Sequence, residues 1–130
     1  MTIRTFSLSL LLLLLVSVVS AQLYYSGFCN NQKVPSDSPF VQTVDNLVAD
    51  LVKNTPNTTP SKKAGYVYKT TNAGSGGSPT AYGEATCLLH DQCSSCQIWN
   101  LCKYAIGGRI DTQDDSGQIS CSIRYEQYSF

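Results

Sequence analysis

The clearest pattern in the sequence is an apolar stripe between residues 40 and 53. Apolar side chains recur there at the spacing of three and four residues that places them on one face of a helix. Ser38 precedes Pro39, and these are favoured residues for the N-cap and for the first helical position. The pattern therefore predicts a helix from Pro39 to about Lys53, whose buried face comprises Phe40, Val44, Leu47, Val48 and Leu51.

Other segments have the composition or the alternation of β-strands. In the last of them Cys121, Ile123 and Tyr125 alternate with Ser122, Arg124 and Glu126, so the two sets point to opposite faces of a sheet. Loops rich in proline, threonine, glycine or aspartate separate the segments, at residues 54–64, 72–79 and 113–118. The sequence predicts an α+β domain with strands at residues 23–29, 66–71, 80–87, 107–112 and 120–130.

The first residues have the features of a cleaved secretory signal. An apolar run from Leu8 to Val19 follows Arg4, and small residues lead to Ala21. The run is too short to span a membrane, so we expect cleavage after Ala21 and a secreted, extracellular domain of residues 22–130 without membrane insertion. Removal of Arg4 leaves eight basic against nine acidic residues, a net charge of about −1. Without a basic excess, we expect no binding to nucleic acid.

Four of the six cysteines and the only histidine lie between Cys87 and Cys102. A zinc site there would compete with oxidation outside the cell, and a redox-active Cys93-Ser-Ser-Cys96 would need a buried strand directly before it. Three disulfides are therefore the preferred interpretation, although six cysteines allow fifteen pairings. If residues 91–101 are helical, Cys93 and Cys96 share one face and are poorly placed to bond each other. His90 then reads as a polar residue at the helix start, and we expect no metal, no cofactor and no enzymatic activity.

Several irregular motifs, among them FCNNQK from Phe28, YKTTNAGSGGSPTAYGEATC, AIGGRI and the final YEQYSF, resemble the ginkbilobin-like antifungal proteins. These are cysteine-rich extracellular domains of land plants that also occur in receptor-like kinase ectodomains. The similarity runs from Phe28 to Phe130. It implies two helices packed on a five-stranded antiparallel sheet. It also implies the disulfides Cys29–Cys102, Cys87–Cys93 and Cys96–Cys121.

The resemblance further implies mannose binding through Asn30, Arg109 and Glu126. A carboxylate only accepts hydrogen bonds, a guanidinium only donates them and an amide does both, so the three could orient one sugar diol. Each residue also has an ordinary structural interpretation: Arg109 and Glu126 as an exposed cross-strand ion pair, and Asn30 as a turn residue beside a disulfide. A monosaccharide should bind at about millimolar concentration, and mannan-type cell-wall glycan more tightly through multivalency.

The spacing departs from the family pattern C-x8-C-x2-C. Here it is C-x5-C-x2-C, with only residues 97–101 before Cys102, so we expect a shortened second helix in which Ile98, Trp99 and Leu101 cover the sheet. Alternatives to a lectin are a non-lectin extracellular interaction module and a truncated family member that lacks sugar binding. We expect a monomer, and Asn57 begins an Asn-Thr-Thr glycosylation sequon.

Overall fold

The computed structural model describes residues 24–96 and 102–130. The expected signal peptide, residues 1–21, lies outside these ranges, as do Ile98, Trp99 and Leu101. The described chain forms one antiparallel sheet of five strands in the order β1-β4-β5-β3-β2. The elements are β1 (Tyr24–Cys29), α1 (Pro39–Asn54), β2 (Tyr66–Asn72), β3 (Ala81–Cys87), β4 (Gly108–Gln113) and β5 (Ile119–Glu126). The predicted α+β class and the five-stranded sheet are confirmed.

Helix α1 forms where the apolar stripe predicts it. The Ser38 hydroxyl accepts a hydrogen bond from the backbone N–H of Phe40 at 3.3 Å, which confirms the predicted N-cap. All five predicted stripe residues are buried. The helix approaches the sheet closely at Gly83 of β3, where a Cβ atom would lie 2.9 Å from both Leu47 and Leu51. A larger residue at position 83 would push the helix away from the sheet.

Asp50 of α1 also holds the helix to strand β2. Its carboxylate accepts hydrogen bonds from Thr70 Oγ1 at 2.7 Å and from Tyr68 Oη at 3.3 Å. Both donors lie on the face of β2 that packs against the helix. Among the described helices, none is long and apolar enough to cross a membrane.

Two expectations about local structure were wrong. Residues 54–64 are not entirely a surface loop, because Thr55–Asn57 form a 3-10 turn. Thr55 is buried there, and its hydroxyl donates a hydrogen bond to the Leu51 carbonyl. In addition, His90–Cys96 form a 3-10 helix, so the described residues contain one α-helix where two were expected. The tighter helix stacks residues three apart on one side, which carries both Cys93 and Cys96 toward their partners within one short segment.

Three disulfides join the strand ends to the segments between them. Cys29 at the end of β1 bonds Cys102, Cys87 at the end of β3 bonds Cys93, and Cys96 bonds Cys121 in β5. These are the pairings that the family resemblance implies. Five of the six cysteines are buried in the core, and Cys29 packs against it. The bridges therefore extend the core beyond β2 and β3, the strands that α1 covers.

The sheet has an inner and an outer face. In β5 the inward residues Cys121, Ile123 and Tyr125 are buried, whereas Ser122, Arg124 and Glu126 are only partly so, which confirms the predicted alternation. Helix α1 covers the inner face at β2 and β3. The outer face carries charged side chains, among them Arg109, Arg124 and Glu126.

Candidate functional site

A row of five residues crosses the outer face of the sheet, one from each strand. The strand register places Phe28 opposite Arg109, Arg109 opposite Arg124, Arg124 opposite Glu84 and Glu84 opposite Lys69. Two arginines are thus direct neighbours on β4 and β5. Like charges in this position are destabilising by up to about 1 kcal/mol unless carboxylates offset them. Each guanidinium of the row therefore needs a nearby carboxylate to offset the repulsion between Arg109 and Arg124.

Each arginine pairs with a carboxylate two residues further along its own strand. Arg109 Nε donates to Asp111 Oδ1 at 3.1 Å, and Arg124 Nε lies 3.6 Å from Glu126 Oε1. Within the described ranges Arg109 does not pair with Glu126, so the alternative interpretation of these two residues as a cross-strand ion pair is wrong. The register explains the difference, since it places Arg124 rather than Glu126 opposite Arg109.

Phe130 fixes the position of Arg124 from the other side. The guanidinium carbon lies 4.0 Å from the centroid of the Phe130 ring, within the range of a cation–π interaction. Lys69 Nζ lies 5.7 Å from the same centroid and 3.2 Å from Glu84 Oε2. Arg124 is therefore held between an aromatic ring and a carboxylate, and only 38% of its side chain is exposed.

The three residues expected to bind sugar line a single cleft of about 260 Å³ on the outer face. Asn30, Arg109 and Glu126 come from the end of β1, from β4 and from β5, and adjacent strands bring them together. The remaining lining residues are Phe28, Gly107, Gly108 and Arg124. An acceptor, a donor fork and an amide thus share one cleft of modest size.

Backbone hydrogen bonds position Asn30 beside the cleft. The N–H of Asn30 donates to the Gly107 carbonyl at 2.9 Å, and Ile106 N–H donates to the Gln32 carbonyl at 3.1 Å. Asn30 Oδ1 accepts from Gln32 N–H at 2.8 Å, so Asn30 is also the turn residue that was the alternative interpretation. The disulfide Cys29–Cys102 joins the same two segments, the end of β1 and the residues before β4. The turn role and a place in the cleft are therefore compatible.

Two glycines form the floor of the cleft. A Cβ atom on Gly107 would overlap the carboxylate of Glu126, and one on Gly108 would lie 2.8 Å from Cys102 Sγ. The Glu126 side chain lies over Gly107 and is only 15% exposed. The absence of side chains at positions 107 and 108 gives the carboxylate and the disulfide the space that they occupy.

Two cleft residues were missed as site residues from the sequence, Phe28 and Arg124. Phe28 is 76% exposed, which is unusual for a large aromatic side chain that is not at an interface. The motif FCNNQK that carries the family resemblance includes Phe28, but the place of its side chain beside Arg109 depends on the pairing of β1 with β4. Arg124 was placed on the correct face, but its position next to Arg109 depends on the pairing of β4 with β5.

The described residues of the cysteine segment do not form the zinc or redox site that was considered for it. His90 is exposed, with Nδ1 3.7 Å from Asp91 Oδ1 and its ring edge-on to Tyr66. No group of three or more potential metal-ligating side chains occurs within residues 24–96 and 102–130. All six cysteines are in disulfides.

Comparison with known proteins gives the family. The model of the family described as salt stress response/antifungal matches residues 28–128. The chain belongs to this family. It is 41% identical over 116 residues to an antifungal ginkbilobin-like protein of Picea abies, an alignment that covers 82% of this chain and 95% of that protein. It is 39% identical over 137 residues to antifungal protein ginkbilobin-2 of Ginkgo biloba, with 98% and 92% of the two chains covered.

Solved structures of the same fold come from plant receptor-like proteins. The tandem DUF26 ectodomain of Arabidopsis thaliana PDLP5 superimposes with a TM-score of 0.60 at 24% identity. That of PDLP8 superimposes with a TM-score of 0.59 at 22% identity. The alignments cover 84% and 81% of this chain but 52% and 48% of those ectodomains, so the chain spans about half of each. At these identities the similarity establishes the fold of the salt stress response/antifungal domain.

Proposed function

We propose that this family member is a secreted antifungal defence protein that binds mannose or mannan-type glycans in the cleft of Asn30, Arg109 and Glu126. The observation that supports the proposal is the convergence of these three side chains on one cleft. The antifungal relatives support the biological role. Both the family and the ectodomain fold are compatible with an extracellular location, and we propose a binding protein rather than an enzyme.

The chemistry of the cleft suits a pair of neighbouring sugar hydroxyls. Arg109 uses Nε to bind Asp111, so its terminal nitrogens are oriented by that pair and can donate to sugar oxygens. Glu126 can accept from a hydroxyl, and the Asn30 amide can donate to the next. Phe28 offers an exposed ring at the edge of the cleft, and aromatic faces commonly pack against the apolar face of a hexose. Three polar groups and one ring would fix both position and orientation.

The expected affinity for one sugar is low. The roughly twelve heavy atoms of a hexose, at about 0.3 kcal/mol each, give about 3.6 kcal/mol, which corresponds to a Kd on the order of a few millimolar. Retention on a cell-wall polymer then depends on many weak contacts. This makes polymeric mannan a better ligand for the first assay than free mannose.

The test is retention on mannan-agarose followed by elution with free mannose. The variants Arg109→Ala and Glu126→Gln remove the donor fork and the charged acceptor, and we expect both to reduce retention at least about tenfold. Lys69→Ala is the matched control, since Lys69 lies in the same row of the outer face but does not line the cleft. Loss of binding in the control as well would point to nonspecific charge effects.

Inhibition of fungal growth by the same three variants connects binding with defence. We expect Glu126→Gln to lose inhibition together with mannan retention, and Lys69→Ala to keep both. Inhibition without mannan retention in the wild type would separate the antifungal role from lectin activity. Failure in both assays would favour the extracellular interaction module.

A further inference from the structure

A second, larger cleft lies beside the first on the outer face of the sheet. Its volume is about 440 Å³, against about 260 Å³ for the cleft of Asn30 and Glu126. Arg109 and Arg124 line both clefts. The two clefts therefore adjoin at the arginine pair, one on the side of β1 and the other on the side of β3.

The second cleft presents a mixture of polar and apolar groups. Thr86 and Ser122 contribute hydroxyls, Glu84 a carboxylate and Gln118 an amide, while Ile119 contributes an apolar surface that is 40% exposed. A sugar ring has hydroxyls around its rim and apolar C–H faces, so it can use both kinds of contact. The lining resembles that of the first cleft in chemistry, although β3 takes the place of β1 beside β4 and β5.

Charge argues for a neutral ligand. The basic residues of the two clefts are Lys63, Arg109 and Arg124. The acidic residues are Glu84 and Glu126, and the ion-pair partners Asp111 (of Arg109) and Lys69 (of Glu84) add one charge of each sign, so four positive charges face three negative ones. A site for a polyanion would carry a clear positive excess. The balance favours a polyhydroxylated, uncharged chain over a phosphorylated one.

Dimensions argue for more than one sugar unit. Ser122 and Arg124 are successive outward residues of β5, and such positions are separated by about 7 Å along a strand, which is comparable to the length of one hexose unit. A sugar held beside Glu126 would thus have its neighbour beside Arg124 and Ser122. A single hexose would leave the larger cleft unused.

From these observations we infer that the outer face binds a linear oligomannoside of two to three units. Its terminal mannose occupies the cleft of Asn30 and Glu126, and the following units occupy the cleft of Thr86 and Ser122. This inference rests on the proposed mannose site and adds a specificity for chain length. The arginine pair lies at the junction, where the linkage between the first and second sugars would pass.

The experiment compares methyl α-mannoside with a linear α-mannotriose by isothermal titration calorimetry. We expect the wild-type protein to bind the trisaccharide at least about tenfold more tightly. Ser122→Tyr fills the second cleft from the middle of β5, and tyrosine is well tolerated on a strand surface. This variant should bind both sugars with similar affinity and keep the Kd for methyl α-mannoside within about twofold of wild type.

Thr71→Tyr is the matched control, because Thr71 is exposed on β2 and lines neither cleft. It should retain the full advantage of the trisaccharide. Ile119→Ala gives a second route that does not rely on steric filling, and it should reduce the affinity for mannotriose several-fold without affecting methyl α-mannoside. Ionic strength should have little effect on either sugar.

The outcomes separate the two proposals. Equal affinity of the wild type for both sugars, or a tenfold advantage that persists in Ser122→Tyr, would overturn the extended site and leave the mannose site in place. Binding of neither sugar would overturn the mannose site and the extension together. Amide chemical shifts give an independent readout, since Thr86 and Ser122 should respond to mannotriose and not to methyl α-mannoside.

Discussion

The backbone N–H of Asn30 donates to the carbonyl of Gly107 at 2.9 Å, and the same glycine provides the space for the Glu126 carboxylate. One residue without a side chain therefore positions two of the three proposed sugar contacts. Its carbonyl holds the end of β1, and its missing Cβ admits the side chain from β5. The site depends on backbone packing as much as on its polar groups.

Substitution of Gly107 should test this dependence. In Gly107→Ala the new methyl group overlaps Glu126, so the carboxylate must leave its position. We expect a loss of mannan retention of at least about tenfold and a decrease of about 1 kcal/mol in the free energy of unfolding, at the low end of the range for overpacked sites, because the displaced atom is the end of a flexible side chain. Retention on mannan-agarose and chemical denaturation measure the two effects.

Two further variants show whether the effect of Gly107→Ala comes from the displacement of Glu126. Gly27→Ala is the control, because a Cβ there would have its nearest neighbours at 3.4 Å and no carboxylate to displace. Combining Gly107→Ala with Glu126→Ala should recover part of the lost stability and none of the sugar binding. Wild-type retention in Gly107→Ala would show that the position of Glu126 is unimportant.

The interaction of Phe130 with Arg124 can be measured without any ligand. Phe130→Leu keeps an apolar contact but removes the aromatic face, and Arg124→Gln removes the charge while keeping a polar chain. A double-mutant cycle in the free energy of unfolding should give a coupling of about 0.5–1 kcal/mol. The coupling should persist in high salt better than that of Lys69 with Glu84, which is an exposed ion pair. A coupling of zero would mean that the ring does not hold the guanidinium.

Much of the fold could be predicted from local patterns. The apolar stripe of α1 and the alternation in β5 are properties of single segments, and they identified the correct elements and faces. The 3-10 form of residues 90–96 could not be predicted in this way, because the helix type there is coupled to the disulfides Cys87–Cys93 and Cys96–Cys121, and the second of these joins residues 25 positions apart in the sequence.

For the candidate site, too, the features that depend on partners distant in the sequence could not be predicted. Asn30, Arg109 and Glu126 came from the resemblance, and strand pairing brings them to one cleft. The alternative ion pair of Arg109 with Glu126 does not form, because it depends on which residues face each other across β4 and β5, and single-strand alternation does not fix the register. Phe28 was missed as a site residue for the same reason, since its neighbour Arg109 lies far away in the sequence.

The loop between β4 and β5 should respond to acid. The Ser116 hydroxyl, with the backbone N–H groups of Gln118 and Ser116, donates to the Asp114 carboxylate and holds its pKa below the ordinary value of 3.8. A lowered folded pKa means that the contribution to stability is complete above the unfolded pKa and is lost as the pH falls through the folded one. The loop should therefore loosen below about pH 4.

Amide hydrogen exchange of Ser116 and Gln118 as a function of pH measures this effect, after correction for the intrinsic exchange rate. Asp114→Asn should remove most of the acid dependence, because an amide side chain does not titrate there. Asp115→Asn is the control, since Asp115 is exposed in the same loop. Acid loosening that is unchanged in Asp114→Asn would assign the effect to another group.

The disulfide Cys29–Cys102 should contribute to both stability and binding. It closes a sequence separation of 73 residues, for which the loop-entropy model gives about 4 kcal/mol of stabilisation. The double variant Cys29→Ser/Cys102→Ser should lower the free energy of unfolding by up to about that amount, and it should weaken mannan retention because Asn30 follows Cys29 directly. The double variant Cys87→Ser/Cys93→Ser is the comparison, because the disulfide that it removes closes only 6 residues and lies away from the residues that line the mannose cleft. We expect this variant to lose less stability and to keep mannan retention at a temperature where it is folded. Equal loss of retention in the two double variants, measured where both are folded, would contradict a specific role of the first disulfide in holding Asn30.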